Sequence, residues 1–307
     1  MPPHLVKRNT KIGIIVAIAS AAIFGIYPPA ARGAYADGAN VVFVALTVNF
    51  MRALLMAVFC LSKGMRLFDK NADIKLNVTG GFLQGLAAAA VMIALFYLPG
   101  PVVLIILFTH TLMLLFFLAW RGEVKLDVVT TVSTASALIG LTFVLDLWSA
   151  QSTANWIGIG IAFVGALSTV IRLYVYGKQM KTRNPAVVGA ESLIIAFAFL
   201  LLLVFWQIPV LPHSISGFVW TLLAGLCLSI GSFGMFYGIA LLGAFRWSLF
   251  SKIEPIFTAI FSVLLLGEYL KGYQYFGMGL VIASLIVYQI FENIAKRRRE
   301  EAMQVVP

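Results

Sequence analysis

The sequence predicts an all-α integral membrane protein with ten transmembrane helices in two inverted five-helix repeats and both termini cytoplasmic. Three observations carry this. Of 307 residues, 61% are hydrophobic and 11% charged, against about 45–50% and about 25% in soluble domains. Lys and Arg gather in alternate connections between apolar runs, and the chain matches itself at an offset of 145 residues.

Runs of about 18 or more mostly apolar residues, each enough to cross a hydrocarbon core roughly 30 Å thick, fall at about 12–34, 41–62, 78–98, 101–121, 129–146, 155–176, 187–208, 215–240, 247–266 and 273–291. Span 1 follows KRNTK like a signal peptide, but its apolar run continues into YPPAARG, which lacks a clean small-residue cleavage site. Pro28 and Pro29 predict a kink near its outer mouth, with Tyr27 and Tyr35 as gate candidates. Arg52 lies halfway through span 2, and Glu191 in the first third of span 7. Gly81 and Gly85 in span 3, and Gly234 and Gly238 in span 8, are spaced for close helix packing. Span 4 carries Thr109 and His110, and span 9 carries Lys252, Glu254 and Pro255.

Charge tests this segmentation, because cytoplasmic loops collect Lys and Arg. One side holds Lys7, Arg8 and Lys11; Lys63, Arg66, Lys70 and Lys75; Arg121 and Lys125; Arg172, Lys178, Lys181 and Arg183; Arg246; and Lys296 with Arg297, Arg298 and Arg299. That is 18 of 22, leaving Arg32 and Lys271 on the other side and Arg52 and Lys252 within spans. A missed or extra span would scramble the pattern from that point onward. Trp148, Trp156, Trp206 and Trp220 at outer ends, with Trp120, Tyr174, Tyr176 and Trp247 at inner ends, fit an aromatic belt.

The offset of 145 aligns Ile12-Gly13-Ile14 with Ile157-Gly158-Ile159, Ala17 with Ala162, and Gly122-Glu123 with Gly267-Glu268. Spans 1–5 (residues 1–150) thus match spans 6–10 (residues 151–307, with the basic tail). Five spans per unit is odd, so the second copy enters the membrane from the opposite face. Inverted repeats of this kind place a binding site near the midplane. The same offset pairs Thr109-His110 with Glu254-Pro255. Counting 1.5 Å per residue puts Glu254 roughly 10–12 Å from the inner face and His110 about 12–14 Å from the outer one.

Lys252 and Glu254 sit about 200° apart around a helix and require different partners. The preferred reading of Lys252 is that its stem snorkels back to the cytoplasmic headgroups, with a ligand role second. Glu254 is shorter and deeper, so it must face the bundle or water, accept hydrogen bonds, or carry a proton. Pro255 takes a donor away from the carbonyl of Ser251, which irregular backbone beside protein or a wet cavity tolerates. His110, the histidine at depth, is a proton-relay or ligand candidate opposite Glu254. For Arg52 and Glu191 the simpler reading is an ion satisfied by a carbonyl, a headgroup or a facing carboxylate, with substrate contact second.

Several functions are excluded. The net charge of +10 comes without a basic stripe interleaved with stacking aromatics, which argues against nucleic acid. Cys60 and Cys227 lie in apolar runs and read as packed thiols. No H-E-x-x-H, G-x-S-x-G, phosphate-binding loop or paired-carboxylate metal cluster occurs, so neither a cofactor nor a metal is expected. The NVT at 77–79 falls on the predicted cytoplasmic side and is not read as a glycosylation site.

Four stretches, IFGIYPPAA, NFMRALLMA, EPIFTAIFSVLLLGEYL and YFGMGLVIASLIVY, resemble the ten-helix EamA-type branch of the drug/metabolite transporter superfamily over residues 12 to 291. Phe24-Gly25 stands where that family often reads Trp-Gly, and Thr109-His110 departs from Glu254-Pro255. The resemblance implies an inner-membrane carrier of small molecules, commonly an exporter of amino acids or related metabolites, working by alternating access and often coupled to protons. It also implies that the two Gly-Glu pairs close spans 4 and 9 at their ends. Partners are then a small-molecule substrate, protons and lipids, with a monomer or a homodimer both open. An uptake carrier or exchanger, an intramembrane lipid-modifying enzyme and a passive lipid scramblase remain as alternatives.

Overall fold

The computed structural model describes residues 9–69, 73–124, 126–149 and 155–304, with side chains through residue 295. The charge positions Lys7, Arg8, Lys70 and Lys125, the side chains of Lys296 to Arg299, and the boundary between residues 150 and 151 lie outside them.

The described residues form twelve α-helices: α1 (Thr10–Ala36), α2 (Val41–Ser62), α3 (Ile74–Ala94), α4 (Gly100–Phe108), α5 (His110–Trp120), α6 (Val128–Val144), α7 (Trp156–Gln179), α8 (Pro185–Leu200), α9 (Ile215–Leu242), α10 (Ala244–Phe250), α11 (Glu254–Leu266) and α12 (Gly272–Gln304). The pairs α4–α5 and α10–α11 each make one span, giving among the described residues nine spans long and apolar enough to cross a membrane. α6 is the tenth; its 17 residues reach about 25 Å at 1.5 Å each. The ten-helix membrane fold is therefore present.

Side-chain caps start many of these helices. Asn9, Asn40, Asp73, Asp127, Asn155 and Asn184 each accept a hydrogen bond from a first-turn backbone N–H, satisfying donors that would otherwise be orphaned. α1 passes through Pro28 and Pro29 without interruption. α3 starts four residues before the expected 78, because Asp73 caps it there. Gly267 ends α11 in the left-handed conformation, and Gly122 after α5 has φ +70°, so both Gly-Glu pairs do close their helices.

α1 packs on α9 and α3 on α7; α2 lies against α8 and α9, and α6 against α12. The α6–α12 crossing is close because Gly140 and Gly277 face each other. A Cβ on Gly277 would stand 2.6 Å from the Gly140 carbonyl oxygen. α1 likewise approaches α11 at Gly25, where a Cβ would meet Phe257 Cβ at 2.6 Å. Gly81 and Gly85 pack under Ile195 and Phe199, and Gly234 and Gly238 under Ser20 and Trp247, in the packing role expected of them. The outward faces carry large apolar side chains such as Ile15, Phe50, Val132 and Ile286, as a lipid-facing surface requires.

Candidate functional site

Two spans are broken at mid-length. Span 4, expected to be one helix over 101–121, stops at Thr109 and restarts at His110. Thr109 donates its hydroxyl to the Ile106 carbonyl at 2.6 Å, and its N–H is shared between Ile105 and Ile106. The bonds to Ile106 tighten the turn, while the α-type bonds from the Thr109 N–H to Ile105 and from the Met113 N–H to Thr109 persist. Span 9 breaks at a 3-10 turn, Ser251–Ile253, after which Glu254 and Pro255 open α11. Pro255 thus occupies the first helical turn, where its missing N–H is harmless. The carbonyl of Ser251, expected to lack a partner, accepts from the Glu254 N–H.

The breaks meet through Lys252. Its side chain is fully buried, with Nζ 3.5 Å from His110 Nε2 and 4.5 Å from the centroid of the Phe108 ring. The expected snorkelling to the headgroups is therefore wrong. The 3-10 turn rotates Lys252 toward span 4, where the face of Phe108 attracts the ammonium. His110 Nδ1 lies 2.8 Å from the Leu107 carbonyl. A carbonyl only accepts, so Nδ1 carries the proton and the neutral ring turns its Nε2 lone pair to Lys252.

Glu254, expected opposite His110, is half-buried. Among the described residues its carboxylate has no hydrogen-bond or ion-pair partner. His110 instead meets Lys252, and Lys252 and Glu254 form no ion pair, as their spacing required.

Arg52 is buried, donating from Nε to Ser232 Oγ (2.9 Å) and from Nη1 to Asn49 Oδ1 (3.0 Å). Electrostatic contact links it with Arg172, Tyr176 and Tyr27, and links Arg172 onward to His110. Arg172 donates to Gln84, while its Nε is buried without a partner. Tyr27 and Tyr35 pack against an apolar cluster that includes Ala30, Ala34 and Ala224. Arg172, Gln84 and Phe108 were absent from the sequence candidates. Gln84 is a lone amide beside LAAAAVMIA, and Arg172 lies inside the apolar run of span 6, where it was counted only as a topology charge.

Glu191 has a different task. Its fully buried carboxylate accepts from Arg183, Asn77 and the Phe68 N–H, each at 2.7 Å. Those bonds hold the 63–69 loop and the start of α3 onto α8, as the simpler reading expected.

The two ends of the bundle differ. At the end with few cations, Arg32 pairs with Glu268, and Lys271 with Asp146 at 2.9 Å. Tyr273 also donates to Asp146. Burial opposes ionisation of Asp146, but the bonds from Tyr273, Lys271 and Ser149 outweigh it and hold the carboxyl below its ordinary value. The hydrogen bond to Asp146 raises Lys271. Asp37 is lowered by hydrogen bonds from Ser214 and joins the two loops 37–40 and 206–214. At the basic end a cavity of about 860 Å³ lies among the helix termini, lined by Glu123, Asp127, Lys178, Lys181, Arg246 and Glu292 among others.

Residues 156–289 match the EamA-like transporter family. A comparison with curated protein sequences finds no match. A solved structure described as "Crystal structure of protein" superposes at TM-score 0.77 and 15% identity, over 91% of this chain and 98% of that one. Such a likeness shows the fold alone, across nearly the whole chain. The resemblance read in the sequence is thereby borne out over residues 156–289, which match the EamA-like transporter family, and the fold is that of a multi-pass membrane protein.

Proposed function

We propose that the protein is a secondary active transporter of the inner membrane that exports amino acids or related metabolites by proton-coupled alternating access. The observation that carries this reading is the meeting of two spans at mid-length irregular turns, which brings a buried lysine against a histidine near the Glu254 carboxylate. Discontinuous helices at such depth are the usual means of presenting polar groups to a substrate. Glu254 then serves as the proton or amine site, alternating between a proton and a substrate ammonium, while Lys252 and His110 respond to its charge.

The halves 1–150 and 151–307 act as the two rocking units, with both termini in the cytoplasm. Helix pairing supports this, because exchanging the halves turns the α1–α9 contact into the α7–α3 contact and leaves α2–α8 and α6–α12 unchanged. Each end carries two ion pairs, and the cavity at the basic end fits a state open to the cytoplasm, with Tyr27, Pro28 and Pro29 at the closed gate. The test is counterflow of radiolabelled amino acids into proteoliposomes with and without a pH gradient. Exchange that responds to the gradient supports the reading; absence of any exchange removes it.

A further inference from the structure

We infer that the cavity at the basic end is an entry site for zwitterions, in which an amino acid parts the Arg246–Glu292 ion pair and takes both of its members as ligands. The inference rests on the transporter reading above and adds to it a site away from the helix breaks. Three cations, Lys178, Lys181 and Arg246, and three carboxylates, Glu123, Asp127 and Glu292, line this cavity of about 860 Å³. Among the described residues a single ion pair joins any of these six to another, Arg246 to Glu292. Asp127 caps α6 through Thr130, and Lys178 lies over the Tyr174 ring, 5.1 Å from its centroid.

The two ion pairs at this end are built differently. Glu191 is fully buried and accepts from three donors, so parting it from Arg183 would strand a charge inside the protein. Glu292 accepts from Arg246 alone among the described residues, and the side chains of Glu292 and Arg246 stay 28% and 34% exposed. A pair so open to water contributes little and parts easily.

What replaces the lost partners selects the ligand. A carboxylate on Arg246 alone leaves Glu292 without a cation, and an ammonium on Glu292 alone leaves Arg246 without an anion. An amino acid carries both groups on one carbon and replaces both partners together, so the lining stays neutral. Arg246 offers its planar fork to the carboxylate. α10 connects this site to the break in span 9. Arg246 stands on α10, and Lys252 follows six residues later, about 9 Å along the axis. Tyr288, one turn before Glu292 on α12, meets α10 near both ends, its ring centroid 6.1 Å from that of Phe245 and 6.3 Å from that of Phe250. A ligand between Arg246 and Glu292 therefore acts on the element that leads to Lys252.

The experiment measures counterflow of leucine, glutamine and phenylalanine by the full chain in proteoliposomes. Each is run beside its N-acetyl form, which lacks the ammonium, and its α-amide, which lacks the carboxylate. At least one zwitterion should exchange with a KM about tenfold or more below those of both its derivatives. Glu292→Gln should erase the preference over the N-acetyl form and keep that over the amide; Arg246→Gln should do the opposite. These opposite shifts separate a ligand site from a structural latch, whose loss would slow all three forms alike. A wild type that moves a derivative as well as its zwitterion overturns the inference and leaves the transporter reading standing. Exchange of none of these compounds overturns both. Equal losses for all three forms in both variants also overturn the inference. If a glutamine variant does not fold, Arg246→Lys and Glu292→Asp decide, since they keep the charges and change the reach and the fork. A zwitterion KM raised severalfold with kcat kept supports the site, and an unchanged KM contradicts it.

Discussion

Spans 4 and 9 break at positions related by the 145-residue offset, yet by different means and with different contents. Span 9 uses a 3-10 turn and Pro255, and its break holds Lys252 and Glu254. Span 4 has no proline there and is interrupted by the Thr109 hydroxyl on its own backbone. Its break holds only neutral groups, Phe108 and His110. Under the same offset Lys252 corresponds to Leu107, whose carbonyl orients His110. One half thus supplies charge and the other supplies the surface that receives it. Two equally charged breaks would bury like charges against each other; dividing the roles avoids that cost.

The strongest way to break this comparison is to remove the charge. Lys252→Met should reduce transport about a hundredfold or more while leaving thermal stability unchanged or raised, because replacing an unpaired buried charge by an apolar side chain of similar length is often neutral or stabilising. Transport in proteoliposomes and unfolding in detergent, read together, check it. Normal transport with a lowered Tm would make Lys252 a structural element instead. Glu191→Gln should do the reverse, because its carboxylate braces a loop and a helix start. Breaking that buried pair should cost about 3–5 kcal/mol of stability, with transport per folded molecule little changed.

The ten spans were legible because hydrocarbon thickness dictates long apolar runs and few other patterns satisfy it. The break at Thr109 was not, since it carries neither Gly nor Pro and depends on one side-chain hydroxyl bending onto its own turn. Lys252 was misdirected for a related reason. Projection at 100° per residue assumes α geometry, and the 3-10 turn invalidates it. Arg172 was assigned to topology because it falls near the inner end of its span, and sequence alone does not say that its guanidinium turns inward to Gln84. Glu191 was read correctly as satisfied, but its partner Asn77 was placed at the boundary of span 3 and stands inside α3.

Smaller effects sharpen the contrast. Pro255→Ala should alter transport by less than about threefold, because the Ser251–Ile253 turn sets the break as well and proline in a first helical turn adds little. Thr109→Ala should have the larger effect of the two, since no proline stands behind that hydroxyl; transport and thermal unfolding of both variants measure the difference. Smallest is the Asp146–Lys271 latch. The lowered carboxyl contributes stability above its ordinary 3.8 and loses it as pH falls through its folded value. The raised ammonium contributes below its ordinary 10.5 and loses it as pH rises through its folded value. The Tm difference between wild type and Asp146→Asn should therefore be constant from about pH 5 to 9 and shrink on the acid side.

The measurement that tests the central claim most directly is the response of substrate counterflow to an imposed pH gradient, comparing wild type with Glu254→Gln in matched proteoliposomes. If the Glu254 carboxylate at the break in span 9 couples protons to transport, wild type accelerates with the gradient while the variant still exchanges substrate and ignores it. If the variant matches wild type with and without the gradient, Glu254 is a brace, and the facing helix breaks are not where proton and cargo meet.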